Sequence, residues 1–261
     1  MPATSPPLLH KPSTFILEVR SRPEPNKAGP IAWLLVERRI DFRHDSCGAL
    51  LDASICLVCQ EINPRDSRQK QRNSYFRGGY TSAFKGMVSL TANSLTVGGY
   101  VVLENTELQG HRVGTFLMNE VVQWVQQWPD SVVRTVRLLS GDARGDNKER
   151  RNRFYEQLGL EFDYCDLEHK QGCSRPILAK ELKRVETWKK NITLHSTTDY
   201  LANVPNVIYE KQRDSLELMN RNRFIKKSLL AIKRRLKPNR YAGLLKCCTL
   251  DIKLEYAALY C

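Results

Sequence analysis

The sequence predicts a mixed α/β (α+β) fold followed by a helical extension, and three observations lead to this prediction. Short segments rich in β-branched and aromatic residues precede and follow a central helix. That helix, residues 115–128, has apolar residues on one face. Beyond about residue 183 the chain becomes strongly basic and helical. A chain of 261 residues is long enough for one buried domain with an appendage.

The domain organisation follows from these changes in composition. Residues 1–13 are predicted to be a flexible, Pro-rich tail, residues 14–183 the main domain, and residues 184–261 a basic, mainly helical extension. Residues 65–77 are basic and predict a solvated loop or, alternatively, a loop that faces a substrate.

Periodicity assigns the elements of the main domain. Residues 31–40 and 49–58 carry apolar residues at mixed spacing and are predicted to be helices, and Pro129 ends the central helix. Gly159 ends a further helix at residues 149–158. The predicted strands are residues 13–20, 87–95, 99–104, 132–139, 160–164 and 176–182.

The charge balance limits the kinds of partner. A net charge of +13 raises the local concentration of anions, so nucleic acid, an acidic protein or a phosphorylated small molecule are candidates; a basic protein without such a partner is the alternative. No apolar run approaches the ~20 residues that span a bilayer, so no membrane partner is expected. The first residues lack the apolar core of a signal peptide, and the eight cysteines do not suggest a secreted disulfide framework. We therefore expect a cytoplasmic protein.

The unit before the central helix has the character of an anion site. Residues 101–104 form a strand, residues 110–115 a short polar turn, and the helix follows at once. The first N–H groups of a helix have no internal partner and lie at the positive end of the helix dipole. Glycine in such a turn lets the backbone approach a phosphate closely. A plain structural turn is the alternative on this evidence alone.

Two motifs resemble the GNAT superfamily of N-acetyltransferases. Gln109-Gly110-His111-Arg112-Val113-Gly114-Thr115 resembles the family's pyrophosphate loop, with Arg112 where the family has its central glycine. Residues 152–162, Asn-Arg-Phe-Tyr-Glu-Gln-Leu-Gly-Leu-Glu-Phe, resemble the family's "FYEKLGF" signature. The motifs occur in the family's order, with one helix and one strand between them. The resemblance covers about residues 85–183 and implies a splayed, mostly antiparallel central sheet flanked by helices.

The resemblance also implies an acetyl-CoA site. The backbone of Val102, Leu103 and Glu104 would pair with the pantetheine arm, and residues 109–115 would hold the pyrophosphate. Asn147, or nearby Asn152, would correspond to a CoA-contacting asparagine. The implied CoA-binding residues are Val102, Leu103, Glu104, Gln109, Gly110, His111, Arg112, Val113, Gly114, Thr115, Asn147 and Asn152.

Tyr155 corresponds to the tyrosine that acts as general acid in many members of the family. A phenol within hydrogen-bond reach can protonate the thiolate that leaves when an amine attacks a thioester. A structural aromatic residue at a helix end is the alternative. Glu104, the candidate general base, and Glu107 lie near the implied splay, although each is also suited to a solvated or structural role.

Two further clusters contain residue types that are suited to binding. His44, Cys47, Cys56 and Cys59 are ligand types that suit zinc, but the gap between the pairs is short, so buried thiols are favoured and no metal is expected. The charged run at residues 142–153 is either a solvated helix face or a contact for the CoA 3′-phosphate or an anionic acceptor.

The C-terminal helix combines charge with an apolar stripe. Residues 206–240 contain eleven Lys or Arg and three acids. The apolar stripe of this helix is expected to pack on the domain or on a second copy of the chain, so a homodimer is one alternative. The basic face of the helix is a candidate surface for binding nucleic acid. The stripe consists of Leu218, Ile225, Leu229, Ile232 and Leu236.

The sequence thus predicts an acetyl-CoA-dependent N-acetyltransferase that acts on an unidentified amine by direct attack in a ternary complex. The second hypothesis is a nucleic-acid-associated binder or modifier on the same scaffold, and a scaffold without activity is a third.

Overall fold

A computed structural model describes residues 13–22, 29–62, 73–94, 99 and 101–235. All but Ser13 of the predicted tail lies outside these residues, as do much of the basic loop at residues 65–77 and the chain beyond residue 235. The chain divides into two compact units, Met1–Tyr200 and Leu201–Cys261.

The first unit is built on a mixed, mostly antiparallel sheet. Among the described residues the sheet has seven strands, in the order β10-β1-β2-β3-β4-β5-β6, and the β5–β6 pair alone is parallel. The strands are β1 (Thr14–Val19), β2 (Ala32–His44), β3 (Leu50–Ile62), β4 (Ser74–Thr81), β5 (Met87–Ser89), β6 (Val132–Val133) and β10 (Ile192–Ser196). The expected α/β class is thus found.

Strands β2 and β3 form a long hairpin, so the prediction of helices at residues 31–40 and 49–58 was wrong. Alternate residues such as Leu34 and Val36 are buried, which is the period of a strand. On the other face of β2, Trp33 and Leu35 are also apolar and half-buried. The sequence therefore lacks the alternation of apolar and polar residues by which a strand is recognised. The Asp45 carboxylate accepts N–H bonds from Cys47 and Ala49 and so shapes the turn.

Helix α1 (Val113–Val125) confirms the predicted central helix within three residues at each end. It packs on one face of the sheet, where Phe116 contacts Phe15 edge-on at 6.0 Å between ring centroids. The helix lies close to β4 at Gly78, where an added Cβ would be 2.8 Å from Val121 Cγ1. Just after α1, Trp128 stacks on Tyr80 at 4.1 Å.

The chain after α1 contributes strands to two different sheets. β6 pairs with β5 at Val88–Val133, and the Arg134 N–H donates to the Val88 carbonyl at 2.7 Å. The chain then diverges and forms β7 (Arg137–Leu138) in a second sheet with β9 (Gly172–Ser174) and β8 (Phe162–Tyr164). The single strand predicted at residues 132–139 was therefore wrong, because its two ends pair with different sheets.

Two other predicted strands are reduced to isolated bridges. Val102 bridges to Tyr75, and Leu178 bridges to Val132. Helix α2 (Asn147–Glu156) confirms the helix predicted at residues 149–158. β10 was not predicted; it pairs with β1 and brings residues beyond 183, the expected domain boundary, into the first unit.

Helix α3 (Thr197–Arg235) begins in the first unit and makes up the described part of the second. It confirms the basic amphipathic helix predicted from residue 206, as far as residue 235. None of the helices in the described part of the chain combines the length and apolar character that crossing a membrane requires.

Candidate functional site

A large cleft brings the two sequence motifs together. Its volume is about 1840 Å³, and its walls come from the turn before α1, residues 132–139, and α2 with the residue before it. The strand divergence after Arg134 lies along the cleft. Of the predicted site residues, those that line it are Val102, Leu103, Gln109, Gly110, Arg112, Val113, Gly114, Thr115, Asn147, Asn152 and Tyr155.

The turn before α1 leaves N–H groups available. Gly110 has φ +82° and Arg112 has φ +65°, both in the left-handed region. The side chain of the N-cap residue Arg112 makes no capping bond to α1, and the first bond of the N-terminal turn runs from the Phe116 N–H to the Arg112 carbonyl at 3.0 Å. The N–H groups just before Phe116 therefore lack a helical acceptor. Arg112 adopts the backbone conformation for which glycine is suited, although it carries a side chain.

A buried asparagine, Asn191, fixes this turn. Its Oδ1 accepts from the Arg112 guanidinium at 3.1 Å, and its Nδ2 donates to the His111 carbonyl at 2.9 Å and to the Arg20 carbonyl at 3.3 Å. Its carbonyl also accepts from the Arg20 N–H at 2.8 Å. Asn191, the residue before β10, thus connects the turn to the end of β1.

The cleft carries an excess of positive charge, with eight Lys or Arg and four acids in its lining. Arg22, Arg137 and Arg153 are exposed, and in the described part of the chain none of the three has a carboxylate partner. Burial lowers the pKa of Arg112, and the nearby charge of Arg22 lowers it further. An anion would relieve this repulsion of two guanidinium groups.

Tyr155 lies in the cleft wall and is largely buried. Its ring meets Phe154 edge-on at 5.1 Å and Phe162 at 6.2 Å. Burial raises the pKa of Tyr155 to about 12, against a smaller opposite effect of Arg151. The phenol therefore keeps its proton at neutral pH, and its hydroxyl makes no hydrogen bond within the described residues.

A second tyrosine site in the cleft was not predicted. The Tyr164 hydroxyl donates to Glu156 Oε1 at 2.8 Å, and the Tyr164 ring stacks on His169 at 4.1 Å. Burial, followed by Glu156, raises the pKa of Tyr164 to about 12. The sequence had no signal for this cluster, because its members come from α2, β8 and the following turn.

The two candidate asparagines differ in their bonding. Asn152 is buried; its Nδ2 donates to the His169 carbonyl at 2.9 Å, and its Oδ1 accepts from Arg151. Arg151 also donates to the Lys170 carbonyl at 2.9 Å, so this pair holds the turn after β8. Asn147 is less buried, donates to the Asp142 carbonyl at 2.6 Å, and accepts from Arg150.

Two predicted residues do not line the cleft. Glu104 is exposed, and its N–H donates to Ser74 Oγ at 3.0 Å. The His111 ring accepts from the Arg22 N–H at 3.3 Å, and burial lowers its pKa, so it is neutral at pH 7. Glu107, the other base considered, is also exposed and outside the lining.

The potential zinc ligands are spread along the β2–β3 hairpin. Cys47 lies in the turn, whereas Cys59 pairs with Val36 deep in the sheet and is buried. Within the described residues, no three His, Cys, Asp or Glu are grouped as a metal site would require. Burial raises the pKa of the Cys59 thiol to about 12, as suits an inert core residue.

The chain matches no family model and no curated protein. Among solved structures, the crystal structure of a domain from Methanocaldococcus jannaschii DSM 2661 is 10% identical, with a TM-score of 0.29. This similarity covers 48% of the present chain and 66% of that chain, just under two thirds. It is too low to indicate fold or function.

Proposed function

We propose that this protein is an acyl-CoA-dependent N-acyltransferase of the GNAT type. The observation that supports the proposal most is the shared cleft, in which the turn 109–115, the diverging strand 132–139 and Tyr155 are all wall residues. The two motifs are separate in sequence, and their meeting on one cleft is what an enzyme with this chemistry requires.

The turn before α1 fits a pyrophosphate. Its uncapped N–H groups, the positive end of the α1 dipole and the side chains of Arg22 and Arg112 are all suited to a dianion. Arg112 is compatible with this role because its backbone already has the left-handed conformation that the family's glycine would provide. Its guanidinium adds charge that glycine lacks.

The opening beyond the β5–β6 pair is a suitable binding site for the pantetheine arm. The strands are parallel and paired at Val88–Val133, and the chain then leaves the first sheet. At such an opening, a backbone group that does not pair with a neighbouring strand can bind an amide-containing arm. We infer that this opening corresponds to the splay of the GNAT sheet.

The reaction uses residues of the cleft wall. When bound, an acyl thioester supplies a carbonyl carbon to which an amine nitrogen forms a bond while the carbon–sulfur bond breaks. Tyr155 donates its phenolic proton to the leaving sulfur and recovers a proton from solvent, which takes the proton lost by the amine. Its pKa of about 12 keeps the phenol protonated before each turnover. Glu104 has no role in this scheme, since it lies outside the cleft lining.

Calorimetry tests the cofactor. Titrating CoA and acetyl-CoA into the full chain is expected to give saturable binding, which Arg22→Glu weakens by about tenfold or more through repulsion of the pyrophosphate. Arg184→Glu is the matched control, because Arg184 is exposed and outside the cleft. Absence of binding at high micromolar CoA rules the proposal out.

The excess of cations in the cleft also favours a second candidate, a nucleic-acid-associated binder or modifier on the same scaffold. Binding of a mixed RNA and DNA pool would then fall steeply with salt, in proportion to the number of phosphates contacted. Tight CoA binding together with weak, salt-insensitive binding of nucleic acid supports the acyltransferase alone.

A further inference from the structure

Helix α3 carries an apolar stripe that is exposed and unusually regular. Leu218, Ile225, Leu229 and Ile232 follow one another at spacings of seven, four and three residues. At 100° per residue they lie within about 60° of one another, which is the narrow seam of a coiled coil rather than the broad face of a core helix. The four side chains are 61%, 45%, 41% and 52% exposed.

The heptad assignment places a polar residue in the seam. With Leu218, Ile225 and Ile232 at d, the a positions are Asn222 and Leu229. A single Asn at an a position fixes the register and the oligomeric state of a coiled coil and lowers its stability. Asn222 is exposed in α3. The seam therefore has the composition of a pairing surface.

The flanks of the seam are basic. Arg221 occupies a g position and Lys226 an e position, and Arg223 and Lys227 add charge on the outer faces. Residues 218–232 contain no acid. The e and g side chains lie against the e and g side chains of the facing helix and determine which partner is accepted.

This charge pattern opposes pairing with a second copy. A parallel pair would bring Arg221 of one copy to Lys226 of the other. An antiparallel pair would set g positions against g positions and e against e, so Arg221 and Lys226 would again find no acidic partner in residues 218–232. A membrane surface suits a broad apolar face, whereas this seam is narrow and contains Asn222. A nucleic acid would use the cations but leave the apolar seam uncovered.

We propose that residues 218–232 of α3 bind an acidic amphipathic helix of another protein, forming a two-stranded coiled coil. The partner helix has apolar residues at a and d, an Asn opposite Asn222, and Glu or Asp at the positions that face Arg221 and Lys226. This interaction surface does not depend on the cleft or on its proposed chemistry.

Two synthetic helices test the partner class on the full chain. Each is about four heptads long, with Ile or Leu at a and d and one Asn at a; one has Glu at every e and g position, and the other has Lys. Fluorescence anisotropy is expected to give an affinity for the acidic peptide at least about tenfold higher than for the basic one. Equal affinities overturn the proposal.

Neighbouring leucines provide a matched pair of variants. Leu229→Asp, in the seam, is expected to lower the affinity for the acidic peptide by more than about tenfold, whereas Leu230→Asp, outside the seam, changes it by less than about twofold. Both side chains are exposed, so neither change disturbs a core. Equal effects of the two variants contradict the assigned seam.

A charge reversal distinguishes an acidic helical partner from the other possible occupants of the seam. Arg221→Glu with Lys226→Glu is expected to invert the preference, so that the basic peptide binds better. Analytical ultracentrifugation is expected to show a monomer. A dimer that the Leu229→Asp change dissociates would mean that a second copy fills the seam and would overturn the proposal. Binding to tRNA or anionic vesicles that exceeds peptide binding and is unaffected by Leu229→Asp would overturn it as well.

Discussion

The Arg112 guanidinium donates a 3.1 Å hydrogen bond to Oδ1 of Asn191, 79 residues further along the chain. Asn191 is 4% exposed and also binds the carbonyls of His111 and Arg20. The turn that leads into α1 is therefore held by a side chain from the segment before β10. This contact stabilises a left-handed Arg112, whose φ of +65° costs about 1 kcal/mol in a residue with a Cβ.

We expect Asn191→Ala to destabilise the protein by about 2–3 kcal/mol, because it removes one acceptor and leaves the half-buried carbonyls of Arg20 and His111 without this donor. Arg112→Gly should be nearly neutral, since relief of the left-handed strain offsets the loss of one hydrogen bond, each about 1 kcal/mol. Urea denaturation followed by circular dichroism measures both. Equal losses in the two variants would contradict the central role of Asn191.

Gly78→Ala is expected to destabilise the protein by about 1–3 kcal/mol through overpacking between β4 and α1. The added Cβ would lie 2.8 Å from Val121 Cγ1 and 3.0 Å from Ile55 Cγ2. Gly141→Ala is the control, because no atom of the described residues lies within 4 Å of a Cβ there. Thermal denaturation of both variants checks this, and an unchanged melting temperature for Gly78→Ala would show that the helix can move away.

Arg38 and Glu120 form an ion pair between β2 and α1, with side chains 5% and 14% exposed. Glu120→Gln removes the carboxylate charge beside a buried guanidinium and should cost about 3 kcal/mol. The double change Arg38→Met with Glu120→Leu should lie within about 1 kcal/mol of the original protein. Asp130→Asn, in the exposed pair with Lys180, should change stability by less than about 0.5 kcal/mol. Chemical denaturation distinguishes these outcomes.

Tyr155 gives stability a dependence on alkaline pH. Its pKa is raised from 10.0 to about 12 by burial, so the folded state holds the proton more tightly than the unfolded state does. This contribution is complete below pH 10 and is lost as pH rises toward 12, by about 1.4 kcal/mol per pH unit. Between pH 9 and pH 11, Tyr155→Phe should therefore lose less stability than the original protein. Identical losses would show that Tyr155 ionises normally.

The same Tyr155→Phe variant tests the proposed chemistry. Loss of a general acid is expected to lower acetyl transfer by about 100-fold or more while CoA affinity stays within about twofold. Transfer is measured as thiol release with a panel of amines and peptides. Full turnover in the variant would remove Tyr155 from the reaction.

The sequence predicted best where one element carries its own pattern. Helices α1 and α2 were found near their observed ends, since each has an amphipathic period or a clear stop. The β2–β3 hairpin was misread because both of its faces are apolar near Trp33 and Leu35, which removes the period of two. β10 was missed because its pairing with β1 joins residues far apart in the chain.

The sequence by itself determined the mixed fold class, the positions of α1 and α2 to within three residues, the basic character of α3 and the resemblance of two short motifs to one family. These depend on neighbours in the chain, which set backbone conformation and periodicity. Only the tertiary structure brought both motifs to one cleft, added Arg22 and Tyr164 to its wall and left Glu104 outside it. Such relations depend on pairing and packing between distant residues, as the contact of Arg112 with Asn191 does, and no local pattern encodes them.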